Sequence, residues 1–345
     1  MSTNALPVLA AANTAPMRPA LLLSVLGLVL MLLFVVSLGV GRAPLELAAT
    51  IAQWMRGDST LATLILIELR LPRTLLAALV GVSLGLAGAA LQGLLRNPLA
   101  EPGIIGVSAC AALGAVIAFY GGLSAMAPLA LPLAGIAGAL LAVVLLYALA
   151  GRESSTLTLI LAGVAINAFA GAATALVLNI APNPFAVTEI VFWMMGSVAD
   201  RSMNHIQIAA PLMIVGWALL GTSGRALDAL TLGEDTAASL GVRLATLRLM
   251  LVLGTALAVG SGVAVTGAVG FVGLVAPHLL RPLVGYQPSR LLIASALAGG
   301  VLVLAADVAI RLVTIGPELK LGVVTALIGA PFFLVLVMRL RRETI

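Results

Sequence analysis

The chain has 345 residues, 62% of them hydrophobic and only 9% charged, and its formal charge of +5 comes almost entirely from arginine. A soluble domain of this length could not solvate such a surface, so the composition is that of an all-α, polytopic membrane protein whose surroundings are lipid. Nucleic-acid binding would need the arginines clustered on a water-facing surface, whereas they stand singly at the ends of apolar runs, and one cysteine, Cys110, supports neither an internal disulfide framework nor a cysteine-based metal site.

Residues 1–19 read as a short disordered tail around a lone Arg18, and 20–345 as a single transmembrane domain. No cleavable signal peptide is evident, because the run 20–41 is long enough to span and lacks a cleavage site. A spanning helix needs roughly 20 apolar residues, and counting charge-free runs gives about ten. The first is 20–41; 45–55 is too short and too polar to cross and predicts an interfacial helix within a loop. The second is 74–95, and the uncharged region 102–151 holds the third and fourth, turning at 121–132. The fifth, 157–178, leads into a loop with NIAPNPFAVTE and WMMGSVADRS, and 205–221 is the sixth. The run 249–280 is too long for one simple crossing, and Gly260, Gly262, Gly267, Gly270 and Gly273 predict a tight hairpin giving spans seven and eight. The ninth and tenth are 291–306 and 321–338. Trp54, Trp193 and Trp217 fall near expected span ends, where interfacial aromatics belong.

Between the sixth and seventh spans lies 225–248, RALDALTLGEDTAASLGVRLATLR, the one long internal segment that combines charges of both signs with short amphipathic helical character. It predicts a helix pair lying at the membrane face. Thr231 or Gly233 can start a short helix with Glu234 and Asp235 in its first turn, favourable to the dipole; Ala237, Ala238 and Leu240 form its apolar patch and Gly241 ends it. A soluble partner should dock there. With the N-terminus inside, the inner loops hold Arg18, Arg96, Arg152, Arg225, Arg243, Arg248, Arg281, Arg290, Arg339, Arg341 and Arg342. The outer side holds Arg42, Arg56, Arg70, Arg73, Arg201, Arg311 and Lys320, so the inside excess has the right sign. A single crossing at 249–280 would reverse every later element. Small residues at helix-face spacing in 81–93 and 260–273 allow helices to approach closely.

Five motifs carry a resemblance: LRLPRTLLAALVGVSLGLAGAALQGLLRNPLAEPGIIGVS at 69–108, LILAGVAIN at 159–167, LTLGEDTAASLGV at 230–242, GFVGLVAPHLLR at 270–281, and ADVAIR followed by ELKLGVVTALIGAPFF within 306–333. In this order they resemble the permease subunit of bacterial type II ABC importers for iron siderophores, haem and cobalamin, over nearly the whole chain after about residue 20. The resemblance implies about ten spans, a homodimer or a pair of similar permeases, two ATPase subunits and a periplasmic substrate-binding protein. It also implies residence in the bacterial inner membrane with both termini cytoplasmic. The expected cargo is a ferric siderophore, with haem and cobalamin as the alternatives.

The same resemblance assigns roles. The coupling helices, about 228–243, would meet the ATPase through Gly233, Glu234, Ala237, Leu240 and Gly241. Arg70, Arg73 and Arg311 would meet acidic residues of the binding protein, although Asp307 stands four residues before Arg311 and could pair with it. Asn97, Leu99, Thr156 and Leu157 would form the cytoplasmic gate, while Asn97 before Pro98 is equally a turn residue. Asn167 and Thr174 would line the pathway at the dimer axis. Cys110 stands where the family usually has glycine, which bears on the packing of span three. His278 has neither a cysteine nor a second histidine near it in sequence and reads as structural.

Two other classes compete. A secondary transporter would normally keep ionisable residues inside its spans, and here the charges fall at the edges, although 73–98 and 248–277 show a weak inverted similarity. An intramembrane enzyme would need a nucleophile with a base, or a metal cluster, and no expected helix carries one. The chain also has no GxxxxGK[ST] phosphate loop, so the expectation is a non-enzymatic transport subunit without a cofactor, served by ATP and magnesium on a separate ATPase.

Overall fold

The computed structural model describes residues 18–123, 127, 129–151, 155–181, 184–313 and 316–343, and among them the regular elements are helices. The tail expected before residue 18, and Arg152 among the inner arginines, lie outside the described residues. α1 (Pro19–Gly39) opens on a proline, whose missing N–H is tolerated in a first turn. α2 (Leu47–Met55) is the short helix expected from its amphipathic run.

α3 (Leu61–Leu94) starts well before the expected second span. Thr60 and Thr63 cap its beginning reciprocally, each hydroxyl taking the other's backbone N–H at 2.9 and 3.3 Å. A π-type widening at Ile65–Arg70 then carries Glu68 and Arg70 inside the helix, which runs on through Arg73, the charge that bounded the expected run. A 3₁₀ turn (Pro102–Ile105) ends on Gly106 with φ +78° and leads into α4 (Val107–Tyr120), so helix three is shorter than the uncharged region suggested. α5 (Ala130–Ala150) returns, after a turn within the expected 121–132 segment. α6 (Thr156–Asn179) is capped by the Ser155 hydroxyl, which accepts from the Thr158 N–H at 3.2 Å.

The loop expected after it contains a helix of its own, α7 (Pro184–Met194). α8 (Met203–Thr222) is followed by the short pair α9 (Gly224–Leu230) and α10 (Glu234–Ser239), then by α11 (Leu244–Thr266). The chain closes with α12 (Val272–Leu280), α13 (Pro288–Val313) and α14 (Leu321–Glu343). Seven of these, α1, α3, α5, α6, α8, α11 and α13, are long and apolar enough to cross a membrane; α4, α7 and the first part of α14 are shorter apolar helices.

The expected hairpin at 249–280 is one crossing and a half-helix. α11 uses 23 residues, whereas the nine of α12 extend only about 13 Å at 1.5 Å per residue. The reversal sits at Gly267, φ +75°, and at Phe271, φ +65°, a left-handed conformation uncommon for a bulky side chain. α12 nevertheless returns to the end from which α11 started. Gln92, near the C-terminus of α3, approaches the Leu274 carbonyl at 3.4 Å and accepts from Arg281 Nη2 at 2.6 Å. The later helices therefore keep the alternation that two crossings would have produced.

α3 is the central helix, and glycine makes that possible. A Cβ on Gly85 would lie 1.9 Å from the Ser295 carbonyl oxygen of α13, and one on Gly88 1.9 Å from that of Gly273 in α12. On α4 and α5 the backbones touch through Gly138, where a Cβ would fall 2.2 Å from the Cys110 carbonyl oxygen. The space around Cys110 is thus supplied by the facing helix. Trp217 departs from the expected interfacial belt: its Nε1 donates to Ser83 Oγ, in the interior of α3, at 2.8 Å. An indole N–H within the bundle needs such a partner.

Candidate functional site

Two ends of the bundle gather the charged residues. At the first, the N-terminal part of α3 meets the C-terminal part of α13 and the segment 316–320 before α14. Arg70, 5% exposed, donates to the carbonyls of Leu38 at 2.9 Å and Gly39 at 2.6 Å and also to that of Ala43, closing the carbonyl end of α1. Arg73 donates through Nε and Nη2 to Asp307 Oδ1 at 2.9 and 2.7 Å, and its Nη2 also meets Glu318. Arg311 donates to the Ser37 and Val40 carbonyls at 2.7 and 2.8 Å, and its Nη2 lies 2.7 Å from Asp307 Oδ2.

Asp307 thus holds both arginines, and its side chain is 1% exposed. The i,i+4 pair with Arg311 is present, and its burial changes its energetics. Exposed pairs contribute about 0 to 1 kcal/mol, whereas here both ions have left water and the compensation has to come from several bonds each. The sequence reading missed Glu318, which stands beyond α13 with no helical register linking it to α3. Arg42, Glu68, Asp200 and Arg201 complete, with this cluster, the wall of a cavity of about 600 Å³.

At the opposite end, α9 and α10 lie across the starts of α6, α11 and α13. Gly233 (φ +108°) and Gly241 (φ +89°) flank α10 in conformations that L side chains rarely adopt. Glu234 accepts from Thr156 Oγ1 on α6 at 2.9 Å and from Arg248 Nη2 on α11 at 2.9 Å. Burial, the largest influence on this carboxyl, pushes its pKa up; the bonds from Arg248 and Thr156 and the charges of Arg248 and Arg96 outweigh it and hold it below the usual carboxylate range. Ala237 is fully buried beneath α10, while Leu232 and Leu240 are 64% and 63% exposed on its outer side. Asp228 of α9 accepts from the Ser289 N–H at 2.8 Å and Gln287 Nε2 at 3.1 Å, fixing α9 to the start of α13.

Two expected sets therefore share one contact. Thr156, expected at the gate, and Glu234, expected at the coupling surface, are bonded to each other, with Arg248 as the third member that sequence spacing did not single out. Asn97 and Leu99 occupy the neighbouring loop, where Asn97 Oδ1 accepts the Leu99 N–H at 2.9 Å, the local turn that Asn-Pro favours. Leu157 is 64% exposed. Glu101, on the same loop, takes the Phe271 N–H at the head of α12; burial raises its carboxyl above the ordinary range, with that N–H pulling the other way.

Of the two expected pathway residues, Asn167 lies on the exposed face of α6. Thr174 is 5% exposed and back-bonds to the Ala170 carbonyl at 2.8 Å. The open face of α6 carries Leu161 and Phe169, and that of α14 carries Leu327, Ile328 and Leu334. A strongly apolar cavity of about 670 Å³ opens between α14, Met194 and Phe271. His278 packs edge-on against Phe332 with centroids 5.7 Å apart, and among the described residues no group of three His, Cys, Asp or Glu side chains could hold a metal ion.

Comparison with known proteins covers nearly the whole fold. Residues 29–339 match the FecCD transport family. The chain is 37% identical to the Fe(3+) dicitrate transport system permease protein FecD of Escherichia coli (strain K12), over 88% of this chain and 94% of that protein. It is 42% identical to the vitamin B12 import system permease protein BtuC of Vibrio cholerae, over 79% of this chain and 82% of that one. A solved chain from an inward-facing ABC transporter of the metal-chelate type superposes with a TM-score of 0.81 at 32% identity, covering 93% of this chain and 99% of its own.

Proposed function

The chain belongs to the FecCD transport family, the membrane-spanning permeases of ABC importers, and from that premise we propose that it carries a ferric siderophore into the bacterial cytoplasm. The observation that carries this cargo is the match to the dicitrate permease along 94% of that protein. Cobalamin is the second reading, favoured by the 42% identity to the vitamin B12 permease. The ATP would be hydrolysed by two separate ATPase subunits, and a second permease copy would complete the pathway. The arginine end faces the periplasm and the α9–α10 end the cytoplasm, with both termini on the cytoplasmic side.

In this arrangement, the loaded binding protein docks at Arg70, Arg73 and Arg311, where charge sets orientation and encounter rate. Closure of the ATPases presses on α10 through Leu240, Gly233 and Gly241, with Ala237 seating the helix beneath. Glu234 passes that motion to Thr156 at the start of α6 and to Arg248 at the start of α11, while Asn97, Leu99 and Leu157 close the cytoplasmic mouth. Asn167 lines the passage from the open face of α6, with Thr174 behind it. A weakly polar passage suits a bulky chelate already selected by the binding protein.

The test is ATP hydrolysis by the permease reconstituted with its neighbouring ATPase and binding protein, given a ferric siderophore, haem or cobalamin. Stimulation by the siderophore that requires all three proteins is the expected result. Stimulation by cobalamin alone moves the cargo to the second reading, and uptake driven by an ion gradient without any ATPase removes the importer reading.

A further inference from the structure

Arg73 has two carboxylate partners of different character. Asp307 is 1% exposed, shared with Arg311, and built into α13; Glu318 is 34% exposed and stands in the segment that leads to α14. Arg70, Arg73 and Arg311 stand with Arg42 and Arg201 around a cavity whose carboxylates are Glu68, Asp200 and Glu318, with Asp307 buried behind Arg73 and Arg311, so the cluster keeps an excess of positive charge. Asp307 cannot leave without stranding two guanidiniums in the bundle. Glu318 can, because water reaches it and Asp307 keeps Arg73 oriented in its absence.

We propose that Glu318 is an internal stand-in for the acidic group of the binding protein. It occupies Arg73 until an incoming carboxylate replaces it, and it thereby sets which partners the surface accepts. The inference rests on the reading of Arg73 as a docking residue and adds to it an exchange. A single stray anion gains little by displacing Glu318, since one ion pair is lost for each one made. A partner that engages Arg73 together with other points of the same face gains from the rest of its contacts, which is discrimination by a built-in competitor. The exchange also reaches the passage. Glu318 stands just before α14, whose Gly322 N–H meets the Gly196 carbonyl at 3.3 Å, and the adjacent Lys320 ammonium lies 6.0 Å from the Phe192 ring centre. Release of Glu318 loosens one tie at the head of α14.

The experiment measures the affinity of the ligand-free cognate binding protein for the intact permease–ATPase complex in nanodiscs. Wild type is compared with Glu318→Gln, Arg73→Gln, the double variant, and Asp58→Asn, a carboxylate at the same end that pairs with Arg56 instead. Glu318→Gln is expected to bind roughly fivefold more tightly, the scale of one solvent-accessible ion pair. Arg73→Gln should weaken binding, Glu318→Gln should add nothing in the Arg73→Gln background, and Asp58→Asn should leave affinity near wild type. Glu318→Asp, too short to reach Arg73 as well, should lie between wild type and Glu318→Gln.

If Arg73→Gln weakens binding but Glu318→Gln does not tighten it, the exchange is wrong and the docking role stands. If Arg73→Gln has no effect, the docking reading itself fails. Equal tightening by Asp58→Asn, or tightening that persists without Arg73, reduces the effect to bulk charge and overturns the exchange. Loss of a purely structural contact would not raise affinity through Arg73.

Discussion

Glu234, expected at the coupling surface, is bonded to Thr156, expected at the gate. Its carboxylate joins α6 to α11 through Thr156 and Arg248, and the Arg248 side chain is 8% exposed against 39% for Glu234. The folded pKa of Glu234 is depressed, so its stabilising contribution is present above the ordinary carboxylate value and lost as pH falls through the folded one. The thermal midpoint of wild type should therefore exceed that of Glu234→Gln at neutral pH, and the gap should close as pH falls below about 4.5. A gap that stays constant with pH would show that the ion pair contributes nothing. The residue types here were legible in sequence, since LGEDTAASLGV announces a charged short helix. The partners were not, because Thr156 and Arg248 come from different helices and only packing sets their distance to Glu234.

At the scale of elements, close approach of backbones decides which helix sits where. Gly88→Ala places a methyl 1.9 Å from the Gly273 carbonyl oxygen and must push α12 off α3. It should destabilise the folded permease by about 1–3 kcal/mol, as overpacking does. Gly27→Ala, in α1 with nothing within 4 Å of the new methyl, should be neutral or stabilise by up to about 1 kcal/mol. Unfolding in a mild detergent series compares the two, and equal effects would mean that α3 and α12 are looser than their contact implies. The same contact explains the expectation at 249–280. Its glycines rightly marked a reversal, but the length of the returning helix depended on where Gly88 lets α12 dock. The π-type turn at Ile65–Arg70 was hidden for a related reason. Charge ends an apolar run in sequence, whereas in the fold Arg70 is absorbed by the carbonyls at the end of α1.

Across the whole molecule, the two charged ends lie at opposite faces of one bundle whose central helix, α3, runs between them. If α10 couples the ATPases to the bundle as proposed, replacing Glu234 and Leu240 together with alanine should leave the complex assembled, lower substrate uptake severalfold, and leave much of the ATP hydrolysis intact, because the ties from α10 to α6 and α11 would be cut. Parallel assays of uptake and hydrolysis in proteoliposomes check this, and a double variant with both rates normal would remove α10 from the coupling path.

Composition and run length by themselves determined that the chain is a polytopic helical membrane protein, because burying so few charges in so much apolar sequence leaves no other solvent than lipid. Order and spacing of motifs were enough to place it in its family, since those are properties of the chain alone. The tertiary structure alone decided that α12 is a half-helix, that Trp217 turns inward to Ser83, and that Asp307 and Glu318 divide Arg73 between them. Each of these depends on distances between residues far apart in sequence, which hydrophobic periodicity does not encode and which backbone contact through glycine and the pairing of buried charges do.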